Sequence, residues 1–512
     1  MTSIGRICRS VVNSKLCSRM SSTLSYENAV QKLNSLQSNK ESIAQILRDI
    51  SLGQREEKCT NLKDMESYLS RVGVPLSRLD ELSVIHIAGT KGKGSTSAMC
   101  ESILRHHGYS TGFFSSPHLV SVCERIRLNG EVISKDKFAD YFHGLYELLE
   151  TSKRHEGDMP KYFSFLTVMA YNIFLQEKVD VAIVEVGIGG VVDYTNVLRK
   201  VPVVGVTSLG LDHTSILGGT IEQIARAKSG VMKRGCAAYT VEQPPGAMDV
   251  LVDAARAVEC PLHVVPDYKE YHFPKTMKKE LQVDINAYYT NASLAIQLAH
   301  AWMRLRGRPA LTNGNAHKSE GISDSFSAEP LIRQVPEATV EGLQQCRWPG
   351  RYQVERTDYA QFYLDGAHTK ESVEICAEWF QRHADRSDKI LIFSATGDRN
   401  SEILLAPLTN IKFQKVYFVV PTAFKNINEK NDNYSLLERE EVIARCHKHN
   451  TTWKNLHGND NVPQTSVMEC VADALTDIKQ SDTLPQVLIT GSLHLVGAAL
   501  AVLDCDLYKY KE

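Results

Sequence analysis

The chain alternates short, mostly apolar runs with longer amphipathic stretches. Residues 83–88, 181–186 and 203–208 are runs of the kind expected for buried strands. Residues 163–177 and 220–233 instead place apolar side chains at helical spacing. Strands that alternate with helices in this way predict a parallel α/β sheet.

The same alternation returns in the last third of the chain. A second α/β region is predicted there, with strands at 361–364, 389–393, 415–420 and 486–489. The two regions are separated by residues 312–328, which are rich in Asn, Ser and Gly and predict a linker. Residues 448–465 are polar and are predicted to form a surface insertion.

A length of 512 residues favours two domains, because one hydrophobic core rarely grows that large. We predict an N-terminal P-loop ATPase domain with a parallel sheet at residues 26–307. A linker at 308–340 leads to a smaller C-terminal Rossmann-like α/β domain at 341–512. The fold class is therefore α/β in both domains.

The first 25 residues differ in composition from the rest. They are rich in serine and carry Arg6, Arg9, Lys15 and Arg19, and no acidic residue precedes Glu27. This composition predicts a mitochondrial presequence, with a disordered basic tail as the alternative. Met20 offers a second start, so we expect one form in mitochondria, in the matrix or at the inner membrane surface, and one in the cytoplasm.

Composition excludes several other classes of protein. The net charge of −2 gives no electrostatic reason to expect a nucleic-acid partner. The 12 cysteines contain no C-x-x-C pair, which argues against a zinc site or a disulfide framework. No apolar run approaches the roughly 18 residues needed to span a bilayer. We expect a monomer without an integral membrane segment.

The strand at 83–88 runs directly into a glycine-rich turn, GTKGKGST at residues 89–96, and a helix is predicted to begin near Ser95. Backbone N–H groups in such a turn point at bound phosphate. Lys93 would neutralise charge on a phosphoryl group. The loop departs from the usual P-loop in two ways, because the spacing from Gly89 to Gly92-Lys93 is shorter and Gly94 stands between Lys93 and Ser95. The alternative is a tight turn that binds nothing.

Phosphoryl transfer also needs a hard cation with oxygen ligands. Glu185 ends an apolar strand and is followed by Gly187, Gly189 and Gly190, an arrangement similar to a Walker B carboxylate. A structural carboxylate at a strand edge is the alternative. His213 and Ser116, taken alone, would be an ordinary histidine and an ordinary turn serine.

Eight motifs change that assessment, because they occur together and in order: IAGTKGKGST, GFFSSPHLVSVCERIRLNG, AIVEVGIGG, SLGLDHTSILG, RWPGRYQ, YLDGAHT, ATGDRN and LITGSLHLVG. Together they resemble the folylpolyglutamate synthases of the Mur ligase superfamily, in their eukaryotic form. The resemblance runs from about residue 26 to residue 507. It implies that ATP phosphorylates the γ-carboxylate of a reduced folate, and that the amine of L-glutamate then attacks the acyl phosphate.

The resemblance also implies roles for particular residues. Mg²⁺ would be the cofactor, with a monovalent cation as a further one, and Lys228 would be carbamylated because a carbamate suits a magnesium site better than an ammonium. By family position, Lys93, Lys228 and His213 are catalytic. The metal ligands are Ser116, Glu185 and His213, and Arg125 lies near the folate. The residues that bind ATP are Gly92, Lys93, Gly94, Ser95, Arg351, Asp365 and His368.

The family's G-x-H-Q-x-x-N segment on the nucleotide side is altered here. Only Asn291 is kept within residues 285–291, so contacts to adenine in that segment are not assigned. Dihydrofolate synthase, alone or combined with the polyglutamate activity, shares nearly all the motifs and remains an alternative. A P-loop regulator without ligase chemistry would not need Ser116, Glu185 and His213 together, nor a second domain with Arg351 and Asp365. A simple P-loop kinase does not explain the second domain or the WPGR and DGAH strings.

Overall fold

The computed structural model describes residues 25–37, 59–307 except 279 and 282, and 331–503 except 386, 398, 459–461 and 482. The predicted presequence, apart from Ser25, lies outside the described residues. So do the second start at Met20 and the polar stretch 312–328.

The chain divides into two compact units. The first unit contains residues 1–116 and 125–347, and the second contains residues 117–124 and 348–512. The short segment 117–124 therefore belongs to the second unit although both of its neighbours belong to the first. This exchange was not predicted from the sequence.

In the described part of the first unit, eight strands form one sheet in the order β4-β3-β2-β5-β1-β6-β7-β8. The six neighbouring strands β2, β5, β1, β6, β7 and β8 pair in parallel, and β3 and β4 add an antiparallel edge beside β2. The predicted parallel α/β sheet is confirmed. The strands are β1 Val84–Ala88, β2 Thr111–Phe114, β3 Ile126–Leu128, β4 Glu131–Val132, β5 Val181–Glu185, β6 Val203–Val206, β7 Ala237–Thr240 and β8 Leu262–Val264.

Helices cover this sheet, and the central strands are buried along their whole length because both faces are packed. The helices of the first unit are α1 Tyr26–Ser35, α2 Asn61–Arg71, α3 Leu76–Leu79, α4 Lys93–His106, α5 Lys135–Thr151, α6 Tyr162–Gln176, α7 Thr214–Leu217, α8 Ile221–Ser229, α9 Pro245–Ala257, α10 Asn286–Leu305 and α11 Glu337–Gln344.

The boundary predicted at residues 340 and 341 is wrong, because α11 belongs to the first unit. A Cβ atom at Gly342 would lie 2.7 Å from Cα of Ile103, so α11 packs backbone to backbone against α4. The hydroxyl of Thr339 lies 2.8 Å from the ring of His107 and 2.9 Å from that of His300. The polar stretch before α11 suggested a long linker, but α11 itself carries a buried face.

The second unit holds a six-stranded sheet in the order β13-β12-β11-β14-β10-β9 over its described residues. Only the edge strand β9 is antiparallel. The strands are β9 Gln353–Arg356, β10 Gln361–Asp365, β11 Lys389–Phe393, β12 Lys415–Val419, β13 Gln464–Met468 and β14 Gln486–Thr490, and the helices are α12 Lys370–His383, α13 Ser401–Leu405, α14 Arg439–His457, α15 Val471–Lys479 and α16 Leu493–Val502.

The segment predicted as a surface insertion at 448–465 is instead largely structural. Helix α14 continues through it to His457, and the edge strand β13 begins at Gln464. His449 and Trp453 lie on the buried face of α14 and are fully buried. These two core positions were not recognised from the sequence because the residues around them are polar.

Within the described residues, no helix combines the length and apolar character needed to cross a bilayer.

Candidate active site

The glycine-rich loop connects β1 to α4, as predicted, but the helix starts two residues earlier than expected, at Lys93. The residue before it, Gly92, has φ of +87°, a backbone conformation that favours glycine. No side chain of the described residues caps this helix end. Its first N–H groups therefore face the loop, where a phosphate would be held by hydrogen bonds and the helix dipole.

Two neighbours fix the shape of the loop. The amides of Thr90 and Lys91 both donate to the carbonyl of Ser208, each at 3.1 Å. A Cβ atom at Gly89 would lie 2.9 Å from Cβ of Thr207, so the loop passes directly over the end of β6. The space above the loop is thus set by backbone contacts and depends little on flexible side chains.

Asn291, the one residue kept from the altered family segment, lies against the loop. A Cβ atom at Gly92 would lie 2.8 Å from the amide carbon of Asn291. Asn291 stands in the second turn of α10, which also packs on α4. The structure thus places this residue at the phosphate loop.

We expect Gly92→Ala to lower the affinity for ATP by at least tenfold, because the added methyl group meets Asn291 and the left-handed φ is strained for alanine. Gly108 also has a positive φ of +81°, at the far end of α4, but a Cβ atom there meets nothing within 4 Å. Gly108→Ala is therefore the matched control, with φ strain but no clash. Equal nucleotide affinity in both variants, measured by calorimetry, would contradict the assigned role of this close contact.

Ser116 and Glu185 are brought together by the structure. Glu185 is buried at the end of β5, and its carboxylate accepts a hydrogen bond of 3.1 Å from the amide of Ser116. A carboxylate beside a serine offers hard oxygen donors, the type that Mg²⁺ prefers. Among the described residues, no group of three or more His, Cys, Asp or Glu side chains forms a ready cage.

His213 lies in the loop after β6. It has φ of +50° and begins the short helix α7. Its amide donates to the Asp212 carboxylate at 2.9 Å, and its ring nitrogen lies 3.9 Å from the same carboxylate. About 40% of its side chain is exposed. His213 is thus oriented by Asp212, and its assignment as a metal ligand stays a prediction.

Lys228 lies in the last turn of α8 and is almost fully buried. Its Nζ donates a hydrogen bond of 2.8 Å to the carbonyl of Gly89, so the lysine touches the phosphate loop from below. Burial, with the charge of Lys93 adding to it, lowers the pKa of Lys228 to about 7. Burial therefore favours the neutral, nucleophilic form of this amine.

Sequence reasoning missed Asp193, which organises the glycine turn after Glu185. Its buried carboxylate accepts hydrogen bonds from the amide of Ile188 at 3.0 Å and from the amide of Thr195 at 2.9 Å. Burial raises the pKa of Asp193 even though these donors oppose the shift. The string VVDYTN follows the turn directly. Its acidic residue, so close to the glycines, was the one signal in the sequence that could have indicated this role.

A cavity of about 390 Å³ lies in the first unit near this turn. Tyr194, the residue after Asp193, forms part of its wall. Arg125, predicted to lie near the folate, places its guanidinium 5.5 Å from the ring of Tyr162. In the sequence, Tyr162 lies between Lys161 and Ser164, which both line the cavity. The cavity is lined by Thr60, Asp64, Tyr68, Arg154, His155, Gly157, Asp158, Met159, Lys161, Ser164 and Tyr194.

The second unit gathers its three predicted ATP residues around Gly366. Asp365 is buried at the end of β10 and accepts a hydrogen bond of 3.0 Å from the amide of Tyr352. A Cβ atom at Gly366 would lie 2.7 Å from a guanidinium nitrogen of Arg351. The ring of His368 lies 2.7 Å from the carbonyl of Gly366. Burial raises the pKa of Asp365, and the Arg351 charge opposes that shift.

The predicted residues therefore form two groups. The phosphate loop, Ser116, Glu185 and Lys228 are connected through contacts within the first unit. Arg351, Asp365 and His368 form one cluster within the second unit.

Comparison with known proteins adds independent information. Residues 351–502 match the family model described as the C-terminal domain of dihydrofolate synthetase. The mitochondrial folylpolyglutamate synthase of Homo sapiens is 38% identical, over 94% of this chain and 92% of its own length.

Solved structures of bacterial proteins share the fold. The folylpolyglutamate synthase of Thermotoga maritima is 25% identical, with a TM-score of 0.63 over 88% of this chain and 94% of that one. The Mycobacterium tuberculosis enzyme, solved with ADP and AMPPCP, is 23% identical, with a TM-score of 0.65 over 90% of this chain and 99% of its own.

Proposed function

Because the chain belongs to the folylpolyglutamate synthase family, we propose that it is an ATP-dependent ligase that adds L-glutamate to the γ-carboxyl group of reduced folates. The observation that carries this proposal is the 38% identity that extends over 94% of the chain. The product is a folate with a lengthened γ-glutamyl chain.

The reaction has two steps. The folate γ-carboxylate attacks the terminal phosphorus of ATP, which gives an acyl phosphate and releases ADP. The amine of L-glutamate then attacks the acyl carbon, loses a proton and expels inorganic phosphate, leaving an amide. The phosphorylation matters because a carboxylate is a poor electrophile, while phosphate is a good leaving group.

The phosphate loop would hold ATP through the backbone of Gly92, Gly94 and Ser95 and through the charge of Lys93. Glu185 and Ser116 would hold Mg²⁺, with His213 as a further ligand. When bound, the ion offsets the charge on the phosphates and orients them. The hydrogen bond between Ser116 and Glu185 supports this assignment, because it keeps both groups at one place before ligands bind.

Lys228 would carry a carbamate in the active protein. The lysine ammonium first loses a proton, and the neutral amine then adds to carbon dioxide and loses a second proton, so that a cationic side chain becomes an anionic carbamate. The lowered pKa of Lys228 favours this addition, and its contact with Gly89 supports a carbamate that would act beside the phosphate loop. A monovalent cation would be a further cofactor, with no residues assigned to it.

Arg351, Asp365 and His368 would bind ATP from the second unit. Their grouping around Gly366 supports a single site, because the buried Asp365 carboxylate faces the Arg351 charge and would fix its orientation.

The folate would place its flat pterin ring in the cavity beside Tyr194. Tyr68 and Tyr194 offer aromatic walls, and Asp64 offers a carboxylate to the amino and ring N–H groups of a pterin. The size of the cavity lies within the usual range for small-molecule pockets. Arg125 would act beside it, through Tyr162.

We expect Asp64→Ala to raise the KM for the folate about tenfold and to leave the KM for ATP within twofold, because one charge-assisted contact to the pterin is lost. Glu66→Ala is the matched control, since Glu66 lies on the same helix but does not line the cavity. Steady-state kinetics with each substrate varied in turn would test this. An unchanged KM for the folate in Asp64→Ala would place the pterin elsewhere.

Dihydrofolate synthase activity is a second candidate, favoured by the match of residues 351–502 to the dihydrofolate synthetase model. Labelled L-glutamate supplied with either dihydropteroate or tetrahydrofolate distinguishes the two activities. We expect label to enter the tetrahydrofolate product. Label in the dihydropteroate product alone would overturn the proposed function, and label in both would make the protein bifunctional.

The protein would act in mitochondria, as the name of the human relative states for that protein. A second form that starts at Met20 would act in the cytoplasm.

A further inference from the structure

The segment 117–124 connects two proposed site residues. Ser116 precedes it and Arg125 follows it, and both belong to the first unit, whereas the segment itself belongs to the second. Contacts that hold this segment therefore act between Ser116, a proposed metal ligand, and Arg125, a residue proposed to lie near the folate.

Leu119 anchors the segment in the core of the second unit. It is buried among residues of β10, β11, β14 and α16. A Cβ atom at Gly350 would lie 3.1 Å from the Leu119 side chain, and one at Gly497 would lie 2.7 Å from the Leu119 carbonyl carbon. Gly350 directly precedes Arg351, so the anchor touches the loop that carries the proposed ATP arginine.

Glu124 gives the segment its internal shape. Its carboxylate accepts hydrogen bonds from the amides of Leu119, Val120 and Ser121, at 2.9, 2.8 and 2.7 Å. The turn is therefore closed by hydrogen bonds to a carboxylate of its own segment.

A loop between β12 and α14 forms hydrogen bonds with this turn. The Asp432 carboxylate accepts a hydrogen bond of 2.6 Å from the amide of Val122. The Asn433 side chain donates to the carbonyl of Leu119 at 2.9 Å and approaches that of Val120 at 3.4 Å. Asn431 and Asn428 shape this loop, since the side chain of Asn431 accepts from the Asn428 amide at 2.8 Å.

We propose that Asp432 and Asn433 are positioning residues for the ligase reaction, and we call them the clamp. Their side chains hydrogen-bond to the amide of Val122 and to the carbonyl of Leu119, so they fix where that backbone stands. The carbonyl of Asp432 also lies 3.2 Å from the ring of His118 in the same segment. Val122 begins the short 3₁₀ turn Val122–Arg125, so the residue that the clamp contacts is three positions before Arg125. This inference rests on the proposed function, because it assigns the clamp to the residues of that same site.

Loss of the clamp has a specific expected signature. Glu124 still closes the turn and Leu119 still fills the core, so the fold persists. The ends of the segment, however, are held less precisely. Poorly positioned binding groups weaken the binding of the substrates they touch, and here those are MgATP and the folate.

The test compares Asp432→Ala and Asn433→Ala with Lys430→Ala, a matched control whose exposed side chain lies in the same loop. We expect KM for MgATP and for the folate each to rise roughly five- to tenfold in the clamp variants, with KM for L-glutamate within twofold. Asp432→Asn keeps an acceptor oxygen for the Val122 amide and should recover most of the loss. Hydrogen exchange at the amide of Val122 should quicken in Asp432→Ala.

Two results would overturn the proposal. One is kinetics equal to those of Lys430→Ala. The other is a fall in kcat with all KM values unchanged, which is the result of a smaller folded fraction. Thermal unfolding of each variant separates that case directly. If the unaltered protein makes no polyglutamylated folate, the proposed function fails before any variant is compared, so the two failures are distinguishable.

Discussion

Lys93→Ala is expected to lower kcat/KM for ATP on the order of a thousandfold, which is the largest activity effect that the site predicts. Lys93 is the first residue of α4 and stands where the loop turns into the helix. The charge moved onto the phosphates during transfer is offset by this ammonium, and alanine offers no replacement. Its field also reaches Lys228, since the Lys93 charge helps to lower the pKa of that buried lysine.

Lys63→Ala provides the control, because Lys63 is an exposed lysine on α2 of the same unit. Initial rates at several ATP concentrations, with unfolding curves for both variants, would measure the effect. A Lys93→Ala protein that is folded and retains more than a tenth of the parent kcat/KM would refute the role of Lys93 in phosphoryl transfer.

Lys228→Met is expected to lower activity at least a hundredfold and, at the same time, to raise stability near pH 6. Burial lowers the pKa of Lys228 from 10.5 to about 7. Below pH 7 the folded protein carries the full cost of a buried ammonium. Between pH 7 and 10.5 the unfolded chain binds the proton and the folded protein releases it, so the stability of the parent rises with pH. Methionine removes the cost and its pH dependence together.

The stability gain of Lys228→Met should be roughly 2 kcal/mol at pH 6, less than the burial cost itself because the variant also loses the hydrogen bond to Gly89. The gain should shrink as the pH approaches 10, because the folded parent then no longer carries a buried ammonium. Denaturant titrations in bicarbonate-free buffer at pH 6 and pH 9 would measure it. Lys200→Met is the control, since the Lys200 side chain is 73% exposed and carries no burial cost. A gain that does not depend on pH would contradict the account of Lys228.

The parts of the fold that depend on local pattern could be predicted from the sequence. The strand before the phosphate loop and the helix after it follow from apolar spacing and from the glycines between them. The sequence predicts that this helix begins near Ser95. The helix begins at Lys93 instead, since Gly92 takes a left-handed conformation that needs no side chain.

The parts that depend on distant contacts could not be predicted. Nothing near Leu119 in the sequence indicates that its side chain completes the core of the second unit. The same holds for Asp432, which meets Val122 across 310 positions of the chain. Asp193 was missed for a different reason, since it accepts from the backbone amides of Ile188 and Thr195 and from the nearby Thr195 hydroxyl, contacts that belong to no recognised motif.

The central claim is that the folate carboxylate is activated as an acyl phosphate before glutamate attacks. The most direct measurement starts from tetrahydrofolate whose terminal γ-carboxylate carries ¹⁸O, with ATP, Mg²⁺ and L-glutamate. With both oxygens of that carboxylate labelled, addition of the first glutamyl unit should release one inorganic phosphate that contains one ¹⁸O atom taken from the carboxylate; the reaction is stopped at this first addition, because later ones use the unlabelled carboxylate of the added glutamate. Phosphate without ¹⁸O, formed together with the product of the first addition, would contradict the acyl phosphate.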